Sequence, residues 1–254
     1  MRALELHPND IYKGNLILIN RRYPIRMDEK EILSNLRPIN EIYKNHLASF
    51  HVVETLKDIF DNLNCYDEIV PVSCFRSHQE QCELYNTSII ENGLNYTNKF
   101  VAVPDASELQ SGLAVDLGKN VEDIDFICPE LPYDGVYGDF RKEALLNGFI
   151  ERYKKGKEGI TGIANEPWHF RYVGVPHSII IEENNLSLEE YHEFIKEFNG
   201  PEKSYTYKVQ DYFAKIFYIK SSVEIQTIQI EDDIEYNVSG NNIDGFIITL
   251  YKSL

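Results

Sequence analysis

Glu166-Pro167-Trp168-His169-Phe170-Arg171-Tyr172-Val173-Gly174 is the stretch on which the reading of this chain turns. A carboxylate stands three residues before an imidazole, and a rigid proline and a bulky indole separate them. That arrangement can aim the imidazole at a metal while the carboxylate reaches a metal-bound water as general base. The run from His169 to Pro176, HFRYVGVP, reads as a buried strand. Taken alone, a histidine beside a tryptophan is more often a packed core residue than a ligand, so the reading depends on partners elsewhere.

Two further segments supply them. Ser107-Glu108-Leu109-Gln110-Ser111-Gly112-Leu113-Ala114-Val115-Asp116 ends in a short apolar strand with an acid near its end. Ser73-Cys74-Phe75-Arg76-Ser77-His78-Gln79-Glu80-Gln81 places Arg76 after an apolar run, where its planar fork can clamp a carboxylate. Each has a plainer reading in isolation. Asp116 would then be a cap or turn residue, Arg76 the partner of a structural carboxylate, and Gln81 an exposed helix residue.

The remaining chain punctuates into elements. NLILIN (15–20) reads as an early strand between Gly14 and the Tyr23-Pro24 turn. Phe50, Val53, Leu56 and Phe60 recur at helical spacing over 48–62. EIVPVSCFRS reads as a strand, HQEQCELYNTSIIEN (78–92) as a helix ended by Gly93, and 94–107 as an irregular connection. GLAVDL (112–117) is a buried strand, and FRKEALLNGF a helix closed by Gly148. LSLEEYHEFIKEFN (186–199) is a helix with Ser187 as N-cap and Glu190 three residues on. After Gly200-Pro201 the pattern changes to alternating apolar positions. We therefore expect one domain over 1–200 and a small β-rich appendage over 201–254.

With 41 acidic against 25 basic residues, the net charge is −16. Phosphate binding needs a basic stripe, so nucleic acid is excluded as a partner. Glu5, Asp10 and Lys13 interrupt any signal-peptide core near the N-terminus, and no segment approaches the roughly 18 apolar residues of a membrane span. The expected location is cytoplasmic. Cys65, Cys74, Cys82 and Cys128 match neither a disulfide framework nor a zinc knuckle and read as reduced thiols.

Together the three segments resemble the zinc D,D-peptidases that include the vancomycin-resistance D,D-dipeptidases and D,D-carboxypeptidases. Their pattern is S-x-H-x-x-G-x-A-x-D followed by E-x-W-H or E-P-W-H. Ser107, Gly112, Ala114, Asp116, Glu166, Trp168 and His169 match it in register over roughly residues 10 to 180. The resemblance implies an α+β fold with a central, mainly antiparallel sheet flanked by helices. It implies a zinc cofactor held by Asp116 and His169, Glu166 as catalytic base, and Arg76 stabilising the carbonyl oxygen as it gains charge. Ser107 and Gln81 would hold the C-terminal end of the substrate. The implied substrate is D-Ala-D-Ala, as free dipeptide or at the end of a peptidoglycan precursor, and the implied setting is vancomycin resistance.

Leu109 breaks the pattern. It stands seven residues before Asp116, where the family has its first histidine ligand, and leucine offers no lone pair. Catalytic zinc takes three protein ligands and a water. Hydrolysis is therefore expected to be impaired, with an inactive D-Ala-D-Ala-binding module as the alternative. A displaced ligand such as His78 is the other way to fill the gap.

Overall fold

The computed structural model describes residues 1–209 and 212–253; Gln210, Asp211 and Leu254 of the expected appendage lie outside the described residues. The chain divides into two compact units, Ile19–Ser187 and a second made of Met1–Leu18 with Leu188–Leu254.

The Ile19–Ser187 unit is built on a four-stranded sheet in the order Ile69–Ser73, Ala114–Lys119, Glu166–Tyr172, Phe149–Tyr153, every neighbour antiparallel. This is the mainly antiparallel sheet that the family resemblance implies. Side chains alternate faces along a strand, and that alternation sorts the unit. Val115, Leu117 and Phe170 join the apolar core, where the helices Phe50–Leu63 and Gly135–Leu146 pack. Phe60 of the first and Phe140 of the second meet edge-on at 5.8 Å, and Phe140 meets Phe170 at 5.3 Å. Asp116, His169 and Arg171, one position out of phase, leave that core for the other face.

Several elements differ from the sequence reading. Leu16, Ile17, Leu18 and Ile19 are all buried, yet they form no strand. Their backbone bonds go to a turn instead: Leu16 N–H donates to Ser239 Oγ at 2.8 Å, Leu18 N–H to Asn241 O at 3.1 Å, and Asn242 Nδ2 donates to Leu18 O at 2.8 Å. A short helix, Leu94–Phe100, occupies the stretch expected to be irregular. The helix expected over 140–149 and closed by Gly148 runs instead from Gly135 to Leu146, with Asn147 as its C-cap, and Phe149 opens a strand.

The second unit holds a four-stranded antiparallel sheet in the order Glu235–Gly240, Gly245–Ser253, Tyr212–Lys220, Tyr205–Val209. The helix Leu188–Lys196 belongs to the same unit. Its N-terminal strand Arg2–Leu6 pairs antiparallel with Gln226–Ile230, and Leu4, Leu6, Phe217, Phe246 and Ile248 share one core. The division thus falls elsewhere than Gly200-Pro201, because a strand from the first residues is paired within the C-terminal β-rich unit. Among the described residues no helix is long and apolar enough to cross a membrane.

Candidate active site

The site is laid out by strand register. Asp116 on Ala114–Lys119 faces His169 on Glu166–Tyr172 directly across the antiparallel pair, and Ser73 faces Asp116 from the other side. Directly opposed residues bring their Cβ atoms to about 5 Å, so short side chains can touch. They do: His169 Nδ1 lies 2.7 Å from Asp116 Oδ1, both groups largely buried. Glu166, three residues from His169, should by strict alternation face the other way. A register shift on the neighbouring strand places Glu151 opposite Phe170 and Tyr153 opposite Glu166, so the Glu166–Phe170 stretch carries extra residues and bends. Glu166 and His169 consequently line the same cleft.

The loop before Asp116 is a tight turn. Glu108–Ser111 forms a single 3-10 turn after Ser107, and Gly112 ends it with φ +72, a left-handed conformation that glycine adopts without strain. A Cβ on Gly112 would also press on Leu36. On the far side, the helix His78–Asn92 is capped by Ser77, whose Oγ and the Glu80 carboxylate form a capping box. That cap aims Gln81 inward. Gln81 is buried, donates through Nε2 to Ala102 O at 2.7 Å, and accepts from Arg76 Nη1 at 2.9 Å; Arg76 Nη2 donates to Ser73 Oγ at 3.0 Å.

All six residues singled out from the sequence line one cleft of ≈ 500 Å³, partly open to solvent: Arg76, Gln81, Ser107, Asp116, Glu166 and His169. Leu109 lines it too and is buried. His78 does not line this cleft; its ring is engaged by Asp105 and Cys82.

Sequence reading missed a second set of residues behind the cleft. Glu108 is completely buried, and its Oε1 accepts from Arg152 Nε at 2.8 Å and Arg171 Nη1 at 2.7 Å. Its Oε2 makes no hydrogen bond and lies 3.6 Å from His169 Nε2. His169 is therefore flanked by a carboxylate at each ring nitrogen, and the Tyr153 ring packs on it at 5.0 Å. One signal was available: Arg171 is two residues from His169, so strand alternation puts both on one face.

Burial opposes charge on every one of these groups, and the neighbours decide the outcome. Burial pushes the Glu166 carboxyl well above the usual carboxylate range, and Asp116 and Glu108 add to that while His169 opposes it. For Glu108, burial also raises the pKa, but Arg171 and Arg152 outweigh it and hold the group below its ordinary value. Burial lowers the His169 pKa, yet Asp116 and Glu108 overcome this and push it up to about 10. A carboxyl whose pKa burial has raised can take and return a proton, and the half-buried Arg76 guanidinium can bind a developing negative charge.

The donor set does not suit catalytic zinc. Asp116 and His169 converge, but the third expected position is the apolar side chain of Leu109. Glu108 cannot substitute for it at Nδ1, because it faces the opposite ring nitrogen. Among the described residues no group of three His, Cys, Asp or Glu side chains could hold a metal ion.

A mixed α/β scaffold with an antiparallel sheet, on which carboxylates, an imidazole and an arginine meet in one cleft, is that of an α+β peptidase. The family described as VanY, D-alanyl-D-alanine carboxypeptidase, matches residues 46–175. The chain belongs to this family. It is 38% identical to the bifunctional D-Ala-D-Ala dipeptidase and D-Ala-D-Ala carboxypeptidase VanXYC of Enterococcus gallinarum, over 72% of this chain and 95% of that protein. The solved structure of the vancomycin resistance D,D-dipeptidase VanXYg, in complex with a D-Ala-D-Ala phosphinate analog, superposes with TM-score 0.94. It is 44% identical and covers 99% of each chain. A VanY D,D-pentapeptidase mutant in complex with Zn(II) matches at TM-score 0.54 and 28% identity, over 70% of this chain and 98% of that one.

Proposed function

We propose that this chain recognises D-alanyl-D-alanine, as the free dipeptide or at the end of a peptidoglycan precursor, and that its zinc-dependent hydrolysis is impaired by Leu109. The observation supporting this reading is the convergence of Asp116, His169, Glu166, Arg76, Gln81 and Ser107 on one cleft whose remaining ligand position is leucine. The relatives' substrates and the near-complete match to VanXYg favour the same ligand.

In this reading Arg76, held in place by Gln81 and Ser73, faces the carbonyl oxygen of the terminal peptide bond. Ser107 and Gln81 hold the C-terminal end of the peptide. Glu166, whose carboxyl burial keeps close to protonation, handles the proton that must reach the leaving amine. Zinc is the cofactor the family implies, and with two donors instead of three this chain is poorly equipped for it. The reaction acts on cytosolic precursors and contributes to vancomycin resistance. Cell fractionation and drug tolerance of cells expressing the chain check both.

The experiment is a comparison of this chain with Leu109→His, with zinc added. D-alanine release is measured from the dipeptide and the pentapeptide, and binding of a D-Ala-D-Ala phosphinate by calorimetry. We expect the native chain to bind the phosphinate and release D-alanine slowly, and the histidine variant to release it at least about a hundredfold faster. The buried leucine favours a second reading, a binding module without chemistry. If the variant is also inert while the peptide still binds, that reading stands and the enzyme reading fails. Loss of all binding removes both.

A further inference from the structure

Outside the cleft, three side chains stand in the order acid, imidazole, thiol. Asp105 Oδ1 lies 2.7 Å from His78 Nδ1, and His78 Nε2 lies 3.4 Å from Cys82 Sγ. With Asp105 accepting at Nδ1, that nitrogen carries the ring proton and Nε2 is left as an acceptor facing the thiol. A base that touches the nucleophile and is itself oriented by a third group is the arrangement that activates a cysteine.

Each member is fixed by the local fold. Asp105 sits at φ +68, its N–H donates to Gln110 Oε1 at 2.8 Å, and its carbonyl accepts from Ile25 N–H at 2.8 Å. His78 and Cys82 are four apart on the helix His78–Asn92, so one lies directly above the other on its surface. The set is reachable: the His78 and Asp105 side chains are 57% and 48% exposed, and Cys82 is half-buried. His78 and Asp105 also line a pocket of ≈ 560 Å³ with Arg76, Phe75 and Met27 among its walls. Asp105 and Cys82 hold opposite nitrogens of the ring, so the three cannot share a metal ion.

The other three thiols are set apart from this chemistry. Burial pushes Cys65 up to about 11, drives the Cys74 thiol strongly upward, and raises Cys128, which meets Tyr96 Oη at 3.4 Å.

We propose that Cys82 is a modification site, a nucleophilic thiol activated by His78 and Asp105 that exchanges with low-molecular-weight disulfides. His78 Nε2 takes the Cys82 thiol proton as Sγ attacks one sulfur of the disulfide. A new S–S bond forms to Cys82, the reagent's S–S bond breaks, and its electron pair leaves on the second sulfur, which takes up the proton. Cys82 is oxidised to a mixed disulfide and the reagent is reduced to one thiol.

The test treats the full native chain with dithiobisnitrobenzoate and maps the labelled peptide by mass. The expected result is one fast site at Cys82, absent in Cys82→Ser, with its rate at neutral pH slowed at least about tenfold in His78→Gln and slowed less in Asp105→Asn. Labelling of Cys82 no faster than a free cysteine peptide at the same pH overturns the proposal. So does an unchanged rate in His78→Gln. Should that variant unfold, the buried Cys74 labels in the same assay, and Asp105→Asn then decides, an unchanged rate again overturning it.

Discussion

Asp116 and His169 oppose each other across one antiparallel pair, and their side chains close to 2.7 Å on the cleft side of the sheet. The pairing is written into the register, so the two residues expected as zinc ligands are held together by backbone geometry. What is missing is one donor. Leu109→His should raise zinc affinity by more than the roughly 10–100-fold that a mere supporting residue contributes at a metal site, as measured by competition with a chelator. Equal affinity for zinc in the two proteins would mean that position 109 does not face the Asp116–His169 pair.

Glu108 accepts from two arginines, Arg152 and Arg171, and all three side chains are fully buried. Removing one partner of a buried ion pair strands the other's charge. Glu108→Leu removes the carboxylate that the two buried guanidiniums share and should destabilise the unit by about 3–5 kcal/mol. Urea unfolding monitored at the single tryptophan, Trp168, reads this directly. A loss below about 1 kcal/mol would show that the cluster is not closed to solvent.

The sequence disclosed most of what local pattern can encode. Helical spacing located Phe50–Leu63, and Gly93 marked the end of His78–Asn92. The family resemblance selected six residues that the fold then gathers in one cleft. What it could not disclose is long-range. The pairing of Arg2–Leu6 with Gln226–Ile230 joins segments over 200 residues apart, and the alternation that marks the second as strand does not say which segment it pairs with. The buried run Leu16–Ile19 is as apolar as a strand but spends its hydrogen-bonding groups on Ser239, Asn241 and Asn242. Apolar content reports burial, whereas strand structure needs a neighbour. Glu108 escaped for a related reason: a charged residue is read as exposed unless its two arginines, 44 and 63 positions away, are known.

Gly240 offers a sharp test of the C-terminal unit. A Cβ there would overlap the Ile11 carbonyl, a backbone group that cannot rotate aside, and the Gly240 N–H is bonded to Lys13 O at 2.7 Å. Gly240→Ala should lower stability by at least about 1–3 kcal/mol through overpacking. A thermal midpoint unchanged from the native chain would show that the 8–13 segment can move away without loss.

His169 gives the fold a pH signature on the alkaline side. Its ordinary value near 6.5 rises to about 10 in the folded chain, because Asp116 and Glu108 outweigh the burial that opposes charge. Between those values the folded state keeps a proton that the unfolded state has released. The unfolded state binds fewer protons, so stability must fall as pH rises through this window and be fully present below pH 6.5. The slope approaches about 1.4 kcal/mol per pH unit for one proton. Thiols and phenols titrate with the same sign at higher pH, so the comparison is made between pH 7 and 8, in chelator-treated protein, against Asp116→Asn. The native chain should lose stability more steeply than the variant, and the His169 ring should carry both protons at pH 8 by nitrogen NMR. A neutral ring at pH 7 would mean that burial prevails over the two carboxylates, and the steeper slope would vanish with it.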